Sequence, residues 1–265
     1  MSDFYSTPTI NHFNLLTNEY LILRNKDNEI VDKLCWNGES YRQLKYDTFS
    51  SIWFGQVKPL KDDPYQAFAA DSLINNPITM ISGKPGSGKT FLALAYWFSL
   101  LGKGKIDRII VFCNPVVAKD AAKLGFYPGT VLEKLLATQA GAVLSSKLGS
   151  DIEVQHLVEQ GKLVLIPAGD ARGYETPPNS GVYIMESQNS TEPLLRMLLQ
   201  RIGDSCKVVV DGDYNEQVDM EIYNVKNGMK TMSKAFRGED IFGQVELKQI
   251  HRSKIAEIAD RMMTI

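Results

Sequence analysis

GKPGSGKT, Gly83 to Thr90, is the stretch of this chain that decides its fold. It satisfies the pattern G-x-x-x-x-G-K-[ST] in full, with the apolar run PITMIS before it and FLALAYWFSLLG after it. Glycines in such a loop let backbone N–H groups curve around phosphate oxygens, and the following helix adds the positive end of its dipole. The stretch therefore predicts a buried strand, a phosphate-binding loop and a helix.

The loop also predicts which side chains contact a nucleoside triphosphate, taken here to be ATP. Lys89 should reach the β- and γ-phosphates, and the Thr90 hydroxyl should ligate Mg²⁺. The remaining positions are expected to hold the phosphates through the backbone: Gly83, Lys84, Pro85, Gly86, Ser87 and Gly88. Tyr65 and Gln66 lie upstream, where the glutamine amide can bond the edge of adenine and the ring can cover its face. An ordinary solvated glutamine is the other interpretation, and both stay open.

Five further apolar runs extend the pattern on the C-terminal side of the loop. They are DRIIVFCN, KLVLIPA, GVYIMES, CKVVVDGD and QVELKQI, and helical segments separate several of them. Continuous apolar runs are typical of strands that are covered on both faces. Alternation of strands and helices predicts an α/β fold with a three-layer parallel sheet.

The first part of the chain has a different pattern. Between about Leu15 and Phe54, short alternating segments such as EYLILRN and IVDKLCW are separated by polar turns, one of them containing Asn-Gly, which predicts hairpins. The polar stretch KPLKDDPY then separates this region from the α/β part. We expect a small N-terminal β-rich extension over residues 1–57 and an ATPase domain over residues 58–265.

Composition excludes several classes of function. The chain has 265 residues, 44% of them hydrophobic, and a formal net charge of −2, which gives no general attraction to polyanions. Its cysteines, Cys35, Cys113 and Cys206, are scattered without metal-ligand spacing, which favours reduced thiols and a cytoplasmic location. No apolar run reaches the roughly 20 residues of a membrane span, so we expect no membrane association.

The segment GVYIMESQNST, Gly181 to Thr191, indicates the catalytic step and also departs from the usual pattern. Met185-Glu186 stands at a strand end where ATPases usually place Asp-Glu. Glu186 is predicted to position the attacking water. Met185 cannot hold a metal-bound water, because a thioether is only a weak acceptor. Loss of such a contact typically lowers metal affinity or activity 10–100-fold, so slow hydrolysis is expected.

Two aspartates end the neighbouring run KVVVDGD and offer a replacement. Parallel topology places Asp211 and Asp213 at the same sheet edge as Glu186. Asp211 either compensates for Met185 or caps the turn before Gly212, and both interpretations stay open.

Several segments together resemble one family, the PhoH-like ATPases. The resemblance runs from about Lys58 to the C-terminus, and the compact length is similar to that of phage-encoded members, which would place the protein in the host cytoplasm. The segments that carry it are NPV (114–116), AAKLGFYPGTVLEKL (121–135), Pro167 with Arg172-Gly173, ESQNSTEPLLRMLLQRIG (186–203), VVVDGDYNEQVD (208–219) and VELKQIHRS (245–253).

The resemblance implies a single RecA-like P-loop domain, akin to the first motor domain of superfamily 1 helicases. It also implies ring-shaped homo-oligomers, expected to be hexamers, and a role in RNA metabolism. In the family's γ-phosphate-sensing motif Asp213 pairs with Gln217, here with one extra residue between them. Arg252 matches a helicase arginine that meets the γ-phosphate. The chain departs from the family at Met185, and also at Asn114-Pro115, where an Arg-Pro is usual.

An arginine from a neighbouring subunit is expected to complete the site, because residues 253–265 leave no room for a second motor domain that would close over the nucleotide. Arg201 is the first candidate and Arg172 the second, and an ordinary surface or salt-bridging role is the other interpretation for both and for Arg252. The basic and aromatic residues of KDAAKLGFYPG are candidates for contact with RNA or single-stranded DNA, or simply anchor a loop. They are Lys119, Lys123, Phe126 and Tyr127.

Two functions follow from these residues. The first is a Mg²⁺-dependent ATPase, slowed by Met185, that couples hydrolysis to action on a nucleic acid, RNA first; strand separation does not follow from the sequence. The second is a nucleotide-gated scaffold that binds a partner protein with little or no turnover.

Overall fold

The computed structural model describes residues 5–113, 139–213 and 227–251. The strands are β1 (Glu19–Arg24), β2 (Ile30–Trp36), β3 (Tyr41–Gln43), β4 (Phe49–Ser51), β5 (Gly55–Val57), β6 (Ile78–Gly83), β7 (Arg108–Cys113), β8 (Leu163–Pro167), β9 (Ser180–Met185), β10 (Lys207–Gly212) and β11 (Phe242–Leu247). The α-helices are α1 (Pro64–Asn75), α2 (Lys89–Gly102), α3 (Gln139–Leu148), α4 (Asp151–Glu159), α5 (Glu192–Leu199) and α6 (Gly228–Phe236).

A six-stranded sheet in the order β11-β6-β10-β9-β7-β8 forms the centre of the described fold. All of its neighbouring strands are parallel, as the apolar runs predict. The α/β P-loop fold expected from the sequence is confirmed. Because parallel strands share one carboxyl edge, the phosphate loop after β6 meets the ends of β9 and β10 there.

Helices cover both faces of this sheet and create two apolar cores. Side chains of α1 to α4 pack on one face, around Phe68, Trp97 and Leu157. Side chains of α5 and α6 pack on the other, around Leu198 and Met232. Since each strand alternates its side chains between faces, a strand in this position must be apolar at almost every residue.

Helix starts are fixed by local capping. Asp63 accepts hydrogen bonds from the backbone N–H groups of Tyr65 and Gln66 at the start of α1, where Pro64 has no N–H and needs no acceptor. Ser150 caps α4 in the same way, through the N–H of Glu153. Helix α3 begins at residue 139, and residues 131–138 lie outside the described part.

The N-terminal region forms two small antiparallel sheets, as its alternating pattern predicts. One has the order β1-β2-β3, and the other is the β4-β5 hairpin. Gly38, in the turn between β2 and β3, has a φ of 96°, which explains why this turn contains Asn-Gly.

Polar contacts fix the first sheet to the α/β core. Arg42 donates to both carboxylate oxygens of the buried Asp71 on α1, each at 2.8 Å. The Asn18 side-chain amide donates to the carbonyls of Asp240 (3.0 Å) and Phe242 (3.1 Å) at the start of β11. The ring of Tyr20 stacks on Phe68 with centroids 4.7 Å apart. The sheet is therefore held at both α1 and β11.

Among the described residues, no helix is long and apolar enough to cross a membrane.

Candidate nucleotide site

The phosphate loop has the backbone geometry that its glycines require. Gly83, Gly86 and Gly88 have φ values of 142°, 81° and 96°, in the region that favours glycine. A Cβ on Gly83 would also lie 2.5 Å from the Leu247 carbonyl oxygen of β11. The loop therefore excludes side chains at this position both through its φ and through close packing.

Lys89 and Thr90 begin α2 directly after this loop. Lys89 is 7% exposed, and its Nζ donates to the carbonyls of Gly83 (2.6 Å) and Lys84 (3.2 Å). The ammonium group is thus held inside the loop, where phosphate oxygens are expected.

Thr90 contacts a residue that the sequence left without a firm role. Its Oγ1 donates to Oδ2 of Asp211 at 3.1 Å. The same oxygen accepts from the Tyr183 hydroxyl at 2.7 Å, and Oδ1 accepts from the backbone N–H of Glu186 at 3.0 Å. Asp211 is fully buried. Its carboxylate therefore joins α2, β9 and the residue that follows β9.

Burial raises the pKa of Asp211 above its ordinary value, because the charged form loses its hydration. The nearby Lys89 ammonium and the accepted hydrogen bonds act in the opposite direction. Burial, followed by the charge of Asp211, raises the pKa of Tyr183. The tyrosine therefore remains a hydrogen-bond donor to this carboxylate.

Glu186 and Asp213 are connected through one amide. The Gln188 Nε2 donates to Oε2 of Glu186 at 2.6 Å, and Gln188 Oε1 accepts from the Asp213 backbone N–H at 3.3 Å. A Cβ on Gly212 would lie 2.6 Å from that Oε1, so only glycine permits this approach. Gln188 therefore holds Glu186 in place at the carboxyl edge.

Met185 is 2% exposed and belongs to the apolar core that α2 covers. It precedes Glu186 at the carboxyl end of β9. These apolar surroundings suit a thioether.

A cavity of about 680 Å³ opens beside the loop. The predicted residues among its lining are Gln66, Pro85, Gly86, Gly88, Lys89, Thr90 and Glu186. Gln66 Oε1 accepts from the Leu60 N–H at 3.0 Å, so adenine recognition would depend on Nε2. Tyr65 does not line this cavity; its ring packs on Phe68 with Lys248 above it. Phe91, which does line it, is the better placed ring.

His251 joins the end of the sheet to the same site. Its backbone N–H donates to the Gly86 carbonyl at 3.0 Å, and its Nε2 lies 2.7 Å from Oδ2 of Asp63, the cap of α1.

Several predicted residues lie outside the described part of the chain: Asn114, Pro115, Lys119, Lys123, Phe126, Tyr127, Gln217 and Arg252.

The two remaining arginines lie apart from the loop. Arg201 follows α5, and its carbonyl accepts from the Thr176 N–H and hydroxyl, which places it near the amino edge of the sheet. Its Nε is buried and makes no hydrogen bond within the described residues. Arg172 is exposed and follows the outer strand β8. Neither arginine lines the cavity beside the loop.

Comparison with known proteins identifies the family. A family model described as PhoH-like protein matches residues 57–264 of this chain. The chain belongs to the PhoH family. The resemblance drawn from the sequence is thereby confirmed, and the phosphate loop is that of a P-loop nucleotide-binding family.

Bacterial proteins of this family are similar to the chain. A PhoH-like protein of Bacillus subtilis is 31% identical over 196 residues, 73% of this chain and 58% of that protein. Protein PhoH of Escherichia coli K12 is 33% identical over 168 residues, 62% of this chain and 46% of that protein. The chain thus spans about half the length of the curated relatives it matches.

Similarity to solved structures is much weaker. The structure of C. elegans PCH-2 shares 15% sequence identity with this chain. The match covers 73% of this chain and 43% of the PCH-2 chain and has a TM-score of 0.25.

The residues present fit a nucleotide with Mg²⁺. The glycine loop lets backbone N–H groups face a phosphate, Lys89 supplies a buried cation, and Thr90 and Asp211 supply oxygen atoms. Within the described residues no cluster of three His, Cys, Asp or Glu could hold a metal by itself, so the phosphates would provide the other ligands. Sequence patterns alone missed Gln188, Phe91 and His251, and left the role of Asp211 open between two interpretations, because their places depend on contacts between elements.

Proposed function

We propose that the chain is a Mg²⁺-dependent ATPase that couples hydrolysis to action on a nucleic acid, with RNA as the first candidate. The observation that carries the proposal is the convergence of Lys89, Thr90 and Glu186 on one cavity at the carboxyl edge of the sheet. These are the cation, the metal-ligating hydroxyl and the carboxylate that phosphoryl transfer to water requires.

The residues would divide the task as follows. Loop N–H groups and Lys89 hold the terminal phosphates, and Mg²⁺ when bound neutralises their charge. Thr90 contributes a ligand to the metal. Glu186 orients the attacking water and accepts its proton, with Gln188 fixing the carboxylate. Asp213, with Gln217 and Arg252, is proposed to sense the γ-phosphate.

The nucleic-acid part is supported by the family resemblance and by the basic and aromatic segment at 119–127. A net charge of −2 gives no general attraction to RNA, so the contact must be local. A ring of subunits would concentrate such local contacts and would also bring an arginine to each site.

The test compares ATP binding and hydrolysis in wild type and Lys89→Ala, with RNA, with single-stranded DNA and without either. Lys89→Ala should abolish hydrolysis and greatly weaken ATP binding, because the phosphates lose their buried cation. Lys103→Ala is the matched control, an exposed lysine just beyond the other end of α2 that should leave both unchanged. Equal turnover in wild type and Lys89→Ala would contradict the ATPase; an unchanged rate with RNA would contradict the coupling.

A nucleotide-gated scaffold is the second candidate, and the buried Met185 favours it. A scaffold predicts Lys89-dependent ATP binding with no hydrolysis by the wild type under any of these conditions. Steady-state phosphate release therefore distinguishes the two candidates directly.

A further inference from the structure

The contact between Thr90 and Asp211 answers the question that Met185 raises. Thr90 is the predicted ligand of Mg²⁺, and its hydroxyl donates to Asp211 at 3.1 Å. Met185, at the position where a carboxylate is expected, lies in an apolar core. A carboxylate therefore reaches Thr90 from another strand.

Strand register shows where that carboxylate lies. β10 lies between β6 and β9, and Val210 pairs with Ile184 while Asp211 pairs with Ile81. One residue beyond the Val210–Ile184 pair, Asp211 stands at the level of Met185, one strand nearer to β6 and its loop. The bond from the Glu186 N–H to Asp211 fits this level, because Glu186 follows Met185 directly.

The hydroxyl geometry gives Asp211 a task toward a metal. A threonine hydroxyl has one proton and two lone pairs. When Thr90 donates its proton to Asp211, the lone pairs are free to face a cation, and hydrogen bonds of this kind orient metal ligands and raise their basicity. The three bonds that the Asp211 carboxylate accepts come from Tyr183, Thr90 and Glu186, all outside its own turn.

We propose that Asp211 replaces, from β10, the metal-supporting carboxylate that β9 lacks at Met185. It acts as a positioning residue, orienting Thr90 and a water of the Mg²⁺ shell. The inference rests on the proposed nucleotide binding, and it predicts that Mg²⁺ support is intact despite Met185.

The experiment measures binding of a non-hydrolysable ATP analogue by calorimetry, across a Mg²⁺ titration and in EDTA. Asp211→Asn should lower the Mg²⁺ affinity of the analogue complex about 10–100-fold and leave binding in EDTA unchanged. Tyr183→Phe is the matched control, since it removes the other donor to the same oxygen and keeps the carboxylate. Its Mg²⁺ titration should match wild type. Equal losses in both variants, or none in Asp211→Asn, would overturn the proposal.

A second arm uses Met185→Asp, and its wild-type half can be measured even where Asp211→Asn does not fold. Met185→Asp in the wild-type background should leave the Mg²⁺ titration unchanged or weaker, because the carboxylate is already supplied and a second buried charge is unfavourable. In the Asp211→Asn background it should restore Mg²⁺ affinity. A tenfold gain from Met185→Asp alone would overturn the proposal. A wild type that binds no analogue would instead remove the nucleotide site itself.

Discussion

Glu186 has a φ of 52°, in the left-handed region that residues other than glycine seldom adopt. Its backbone N–H bonds to Asp211 and its side chain bonds to Gln188, and these two contacts oppose relaxation of the backbone. Glu186 also lines the cavity beside the loop, so the strained backbone lies at the residue whose carboxylate faces that cavity. Residues held in this way are typical of sites where geometry matters more than stability.

Glu186→Gln should therefore bind ATP normally and hydrolyse it about 10²–10⁴-fold more slowly, since the amide cannot accept the proton of water. Single-turnover phosphate release and analogue binding separate the two effects. Glu192→Gln, six residues along the chain in the first turn of α5, is the control and should change neither. Normal turnover in Glu186→Gln would assign the base to another residue.

At the scale of strands and helices, the sequence predicted what continuous patterns determine. The buried strands β6 to β11 follow apolar runs, and the phosphate loop marks the start of α2. The nine-residue helices α4 and α6 have too few periodic positions to stand out. The link between Thr90 and Asp211 was not predictable either, because it depends on which strand lies between β6 and β9. The short length of these helices and the arrangement of strands in the sheet, which a pattern along the chain does not give, therefore limited the prediction.

Packing of α2 on β9 gives an element-scale prediction. A Cβ on Gly181 would lie 2.6 Å from Trp97 Cε3 and 3.0 Å from Ile106 Cδ1. Gly181→Ala should lower the free energy of unfolding by about 1–3 kcal/mol, as overpacked cores do. Urea unfolding measures this. Gly169→Ala, where a Cβ meets nothing within 4 Å, is the control, and equal stability of the two variants would contradict the packing described.

The contact of the N-terminal sheet with α1 gives a second prediction at the scale of strands and helices. Asp71 is fully buried and also accepts from Tyr20 and the Lys45 N–H, so removal of Arg42 leaves its charge only partly compensated. Arg42→Ala should lower the free energy of unfolding by about 3 kcal/mol, the lower end for a broken buried pair, because Arg42 is itself partly exposed.

Arg24→Ala, an exposed arginine at the end of β1, provides the comparison for Arg42→Ala and should cost about 0.5 kcal/mol or less. If chemical denaturation gives the two variants the same midpoint, the bond to Asp71 contributes nothing measurable.

At the scale of the whole molecule, the site lacks an arginine within the described residues. Neither Arg201 nor Arg172 lines the cavity beside the loop, whereas phosphoryl transfer gains about 10³–10⁵ in rate from such a group. Of the two, Arg172 is exposed beyond an outer strand, and Arg201 lies nearer the opposite edge with its Nε buried. A head-to-tail ring would bring one of them to each nucleotide.

Mixed subunits test this arrangement. Lys89→Ala subunits and Arg201→Ala subunits, each inactive alone, should recover partial ATPase activity when mixed, because some interfaces then join an intact loop with an intact arginine. The same mixture with Arg172→Ala compares the two candidates. Absence of recovery with both arginines at every ratio, or a monomer in light scattering with ATP present, would contradict a shared site.

The bonds from Asn18 to the start of β11 join residues that are up to 224 positions apart in the chain. At about 5–20 residues per second, a ribosome needs between about 10 and 45 s to proceed from one to the other. During that interval β1 can pair with β2, but its amide partners near Phe242 do not yet exist. The first sheet to emerge can thus contact α1 early, through Arg42 and Asp71, but gains its bonds to β11 only near the end of synthesis. A chaperone would therefore meet every nascent chain with one of the two attachments of this sheet missing.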